Sequence, residues 1–130
     1  ALLRFRTPCV FIPYRSITSR VLMETFLDGR LVLISVDTRE TATTISRMVV
    51  SEGLAACCTI LPGARSVYTW NGAVEEADEA LILMKTDAAH LDECERVVRA
   101  VHPYATMEMV SWKMEEVHGP YRAWMRSVLC

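Results

Sequence analysis

The run from Leu54 to Glu76, LAACCTILPGARSVYTWNGAVEE, constrains the fold of this 130-residue chain more than any other segment. It is nearly free of charge until its end, breaks once at Pro62-Gly63, reaches Trp70 and reverses at Asn71-Gly72. Asn-Gly between apolar runs is the strongest short-range hairpin signal, because both residues accept the positive φ of a type I′ turn. The run therefore reads as a long strand, interrupted at Pro-Gly, that enters a two-residue hairpin. A strand of this length overhangs a small domain, since most strands stop well short of it. Something outside the domain must finish it.

The flanking segments supply a frame for that hairpin. Leu31 to Val36 is a short apolar run suited to a central strand. Asp37 offers a helix N-cap with Glu40 three residues on, and Ala42, Ile45, Met48 and Val49 follow at helical spacing up to a stop at Gly53. After the hairpin, Glu79 to Thr86 reads as the return strand, and Asp87 as the cap of a second helix with the stripe Leu91, Cys94, Val98 and Val101. His102 precedes Pro103, which pushes it out of the helical region and ends that helix. Met107 to Met114 reads as a fourth strand. Gly119-Pro120 opens a last helix with Tyr121, Trp124 and Val128 on one side.

The order is β-α-β-β-α-β plus a C-terminal helix. Right-handed crossovers turn it into an α+β, ferredoxin-like sandwich with an extended hairpin between its second and third strands and two helices on one face. The expected domain is 30–130, preceded by an extension over 1–29. The open sheet face and the overhanging hairpin both need cover, which a homo-oligomer would provide. A composition of 52 % apolar residues and a mean hydropathy of +0.20 point the same way.

A formal net charge of −2 argues against a nucleic-acid footprint, and no stretch is long and apolar enough for a membrane helix. Residues 1–23 carry Arg4, Arg6, Arg15 and Arg20 and no acid, as an organelle-targeting leader does, although an ordinary extension has the same look. The expected compartment is the cytoplasm, or an organelle if that leader is real. Five cysteines without a CxxC motif fit free thiols in a reducing compartment.

No nucleophile elbow, Cys-His arrangement, phosphate loop or dinucleotide fingerprint is present, so the chain reads as no enzyme and no catalytic residue is named. His102, at a helix end between a Val and a Pro, can be a metal ligand, a proton carrier or a cap. Cys57 is either a small hydrophobe on a strand or a soft ligand; thiolate with imidazole favours copper or zinc over magnesium. Cys58 faces the opposite side of the strand, so the adjacent pair cannot easily share an ion. Lys85 either snorkels from the end of the return strand or meets an acid such as Glu108 or an anionic ligand. Tyr68, Trp70 and Tyr104 fit a cleft wall as well as they fit core or interface. The acids Glu75, Glu76, Asp78 and Glu79 read as a solvated turn, or as oxygen ligands for a hard cation.

Leu54-Ala55-Ala56-Cys57, Pro62-Gly63, Ser66, Tyr68-x-Trp70-x-Gly72, Glu75-Glu76, Glu79, Lys85-Thr86, His102-Pro103-Tyr104 and Tyr121-x-x-Trp124 stand in the order and spacing of one family. Over about residues 31–126 the chain resembles the CutA divalent-cation-tolerance family. The resemblance implies a ferredoxin-like subunit in a tight homotrimer, with the long hairpin laid on a neighbour. It also implies an association with tolerance of copper and other divalent metals, and no agreed enzymatic reaction. Ser35, Val101 and Met107 depart from the pattern: some relatives have a copper-contacting thiol, a second histidine and a proline there. What the resemblance leaves for metal is His102, with Cys57, Met107 or an acid from a neighbouring subunit, in a cleft shaped by Tyr68, Trp70, Lys85, Tyr104 and Glu108.

The expected function is thus a non-enzymatic homotrimer that binds divalent or soft metal ions such as copper, or a small ligand, in clefts between subunits. It requires no cofactor. The alternatives are a PII-like signalling trimer, for which the two-residue turn at Asn71-Gly72 leaves no effector loop, and a structural anchoring or assembly protein. An acylphosphatase on the same fold would need a glycine-rich phosphate cradle where VDTRE stands.

Overall fold

A computed structural model describes residues 22–130. All but the last two residues of the leader expected within 1–23 lie outside the described residues, as does Cys9. The elements run β1 (Met23–Thr25), β2 (Gly29–Val36), α1 (Arg39–Ser51), β3 (Cys57–Trp70), β4 (Ala73–Asp87), α2 (Leu91–Val101), β5 (Met109–Lys113), β6 (Glu116–His118) and α3 (Gly119–Val128). An antiparallel sheet has the order β3-β4-β2-β5, which is the ferredoxin-like arrangement the element order called for. The short strands β1 and β6 pair separately, Met23 opposite His118. At three residues each they are too short to show a period, and the sequence did not announce them.

Strand alternation builds the core. Val32, Ile34 and Val36 of β2 and Ala80, Ile82 and Met84 of β4 point to one side of the sheet, against Ala42, Ile45 and Val49 of α1 and Cys94, Val97 and Val98 of α2. All are at least nine-tenths buried, and each large apolar side chain so removed from water contributes about 1.5–3 kcal/mol. The intervening Leu31, Leu33, Leu81 and Leu83 are only half-buried on the opposite face. A second cluster forms where Phe26, Ala56 and Met125 meet, so that α3 is anchored by Met125 while Tyr121 and Trp124 remain exposed. Arg122 and Arg126 lie over the Phe26 ring at 5.6 and 5.0 Å.

The helix starts differ from expectation by small, explicable amounts. At α1 the capping side chain is Thr38, whose hydroxyl accepts from the Thr41 amide at 3.1 Å, while the Asp37 carboxylate accepts from the Thr38 amide at 2.9 Å. Both residues have capping chemistry; burial of Val36 on the strand and of Ala42 on the helix selects the second. At α2 the strand ladder continues to Asp87, paired with Gly29, so Asp87 stands three residues before the N-cap His90. Its carboxylate accepts from the His90 amide at 3.0 Å and lies 2.6 Å from His90 Nδ1. On α2, Val97 rather than Val101 completes the buried stripe.

The arm is as long as its sequence indicated. β3 has 14 residues and β4 has 15. Asn71 (φ 49°) and Gly72 (φ 79°) make the positive-φ reversal, and Gly63 (φ 79°) marks the register shift between Leu61 and Ala64. Cys57, Cys58 and Cys94 are free thiols, whereas Cys130 is disulfide-bonded and departs from the expectation of free thiols. Among the described residues no helix is long and apolar enough to cross a membrane.

Candidate functional site

Two walls meet along the arm, from Trp70 beside its turn to Glu79 at its root. The β3–β4 register sets Tyr68 opposite Glu75, Ser66 opposite Ala77 and Ala64 opposite Glu79, so alternation brings these side chains onto one face. The neighbouring Glu76 and Asp78 point to the other face, where Arg65 binds both, at 2.7 and 2.9 Å. The acidic cluster, read from sequence as one turn, is therefore split in two by the strand.

The second wall follows α2. Pro103 holds His102 in an extended conformation (φ −68°, ψ 133°) at the helix C-cap. The Tyr104 amide then donates to His102 Nδ1 at 3.1 Å. That leaves the ring proton on Nε2, which donates to the Ser35 carbonyl at 2.8 Å. With both nitrogens committed, the ring braces the turn and has no lone pair left for a metal ion. Tyr104 packs edge-on against it at 5.1 Å and donates its hydroxyl to Glu79 at 3.3 Å. Burial, and then the Glu79 charge, raise the Tyr104 phenol above its ordinary pKa and keep it a donor. Glu79 itself is only 9 % exposed.

Between the walls lies a cleft of about 580 Å³. Ser66, Val67, Tyr68 and Trp70 line it from β3; Glu75, Ala77 and Glu79 from β4; Tyr104, Ala105, Thr106 and Glu108 from the segment after α2; and Ser35 from β2. The structure brings Tyr68, Trp70, Tyr104 and Glu108 together along this cleft. Glu75, Glu79 and Ser35 join them, the two acids through strand alternation with Ala77 between them.

Cys57, Lys85 and His102 do not line it. Among the described residues Lys85 meets no acid: its Nζ donates to Thr59 Oγ1 at 2.7 Å and lies 3.8 Å from Cys57 Sγ. Burial, and then the neighbouring Cys57, raise the Tyr121 phenol above its ordinary pKa. Cys57 stands across from Lys85, and Lys85 across from Leu31, whereas His102 binds at Ser35. Four residues of strand separate Leu31 from Ser35, about 13 Å. The two expected metal ligands therefore cannot share an ion within one subunit. Among the described residues, no three His, Cys, Asp or Glu side chains are grouped to hold a metal ion.

A ferredoxin-like α+β subunit with an over-long central hairpin and an acidic, aromatic cleft along it defines the class of this protein. The chain belongs to the CutA1 divalent ion tolerance protein family, whose pattern matches residues 30–128. It is 41 % identical over 96 residues to the divalent-cation tolerance protein CutA of Thermus thermophilus, covering 74 % of this chain and 93 % of the relative. It is 38 % identical over 84 residues to human protein CutA, covering 65 % of this chain and 47 % of that longer protein, and so spans about half of the human relative. The solved structure of CutA from Synechococcus elongatus superimposes with a TM-score of 0.80 at 33 % identity, covering 84 % of this chain and 96 % of that one.

Proposed function

We propose that the chain works without catalysing a reaction, as a homotrimeric cation-binding protein that contributes to tolerance of divalent metal ions. The arm of each copy lies on a neighbour, and each cleft receives a cation: a divalent or soft metal ion such as copper, or a small cationic molecule. The observation that carries this reading is the composition of the cleft, which gathers Glu75, Glu79 and Glu108 and, among the described residues, no basic side chain. The exposure of Val67, Trp70 and Val74 on the arm, at 62, 51 and 75 %, supports assembly, because apolar surface of that kind is normally covered by a partner. The names of the family and of its Thermus relative support the link to divalent cations.

Calorimetric titration of copper, zinc and small amines, with the mass measured by light scattering, tests the proposal. The expected result is saturable binding of at least one cation and a mass three times the 14.7 kDa of one chain. A single-chain mass with no saturable binding of any cation would overturn it.

A further inference from the structure

We propose that the cation the cleft is built for is a small organic ammonium ion rather than a bare metal ion. This rests on the reading of the cleft as a cation site and names the chemistry of its ligand.

The first argument is size. A divalent ion with six waters, at about 30 Å³ of liquid volume each, occupies about 180 Å³. The cleft holds about 580 Å³, the range of pockets for small organic molecules. The second is ligand geometry. Magnesium takes near-octahedral oxygen coordination and calcium six to eight oxygens, while copper and zinc take imidazole or thiolate. The described residues group no three such side chains around a point, His102 has both nitrogens engaged, and Cys57 is elsewhere on the sheet.

The third argument is what the walls do offer. Tyr68, Trp70 and Tyr104 present aromatic rings, whose negative faces attract a diffuse, weakly hydrated ammonium. Glu79 is nine-tenths buried, held by the Tyr104 hydroxyl, and borders the cleft, so its charge is fixed in place with little solvent around it. Glu108 is exposed on the rim. Aromatic rings with a buried carboxylate and a second one at the mouth form a receptor for an ammonium head group. Thr106 and Ser66 add hydroxyls for a neighbouring polar group on the ligand.

The test is calorimetry of the full chain in amine-free cacodylate buffer, with ethanolamine, choline and zinc chloride as separate titrants. Glu79→Gln keeps an acceptor for Tyr104 and removes the charge; Glu108→Gln changes an exposed position and leaves the fold intact. Melting temperature and mass are recorded for each variant. The expected result is saturable binding of ethanolamine or choline, weakened at least tenfold by each substitution in protein that retains its native melting temperature. Zinc binding without ammonium binding would overturn this inference and leave the cation-site reading standing. Binding of no titrant would overturn both. Ammonium binding indifferent to both substitutions would place the site elsewhere and overturn the inference.

Discussion

His102 Nε2 donates to the Ser35 carbonyl at 2.8 Å, joining the end of α2 to the C-terminal end of the central strand β2 across 67 residues of sequence. The same ring accepts the Tyr104 amide. The histidine thereby sets Tyr104, and through it the buried Glu79, at the edge of the cleft.

His102→Ala should cost about 2 kcal/mol, two hydrogen bonds at about 1 kcal/mol each. Chemical denaturation of native and variant protein measures it. Copper affinity should be unchanged, since neither nitrogen is free; a tenfold loss of copper binding would restore the histidine as a ligand.

Alkaline pH should destabilise the fold between about pH 9 and 11. Burial pushes the Cys94 and Cys58 thiols from 9.0 up to about 11. The folded chain then holds protons that the unfolded chain has released, so the stabilisation is complete below pH 9 and fades as pH rises toward 11. For the fully buried Cys94 the full loss is on the order of 2 kcal/mol. Melting curves across this window should fall less steeply for Cys94→Ala than for the native chain.

Trp70→Ala tests the arm. In an assembly that buries this ring the substitution should cost about 3–5 kcal/mol and shift the protein toward smaller species. In an isolated subunit, where Trp70 is 51 % exposed, it should cost much less. Light scattering across a dilution series separates the two outcomes.

Phe26→Ala should cost about 3–5 kcal/mol, because the ring is 1 % exposed and packs with Ala56 and Met125 beneath two arginines. A denaturation midpoint unchanged by the substitution would show that the segment before β2 contributes nothing to the fold.

Several elements were readable because their causes lie within a few residues. Asn71-Gly72 reverses the chain by its own dihedral preferences, Gly53 (φ 68°) ends α1, and Pro103 ends α2 by steric conflict with its neighbour. The apolar run Leu31 to Val36 and the helical stripe of Ala42, Ile45, Met48 and Val49 marked the core segments; Val32, Ile34, Val36, Ala42, Ile45 and Val49 are buried there, with Met48 packed at the edge. Other choices lay between equals. Asp37 and Thr38 can both cap, and only the position of the sheet beneath α1 selects Thr38.

Local chemistry in the sequence alone thus determined the β-α-β-β-α-β order of the main sheet and its helices, the over-long arm and the aromatic residues available to a cleft. Turn dihedrals, proline sterics and hydrophobic period all act over spans of one to four residues. The tertiary structure alone decided which acids face the cleft, that Lys85 meets Thr59 rather than Glu108, and that the His102 ring is tied to Ser35 while Cys57 stands elsewhere on the sheet. Each of those outcomes depends on strand register and on contacts between distant segments. Such contacts exist only once the chain has closed on itself.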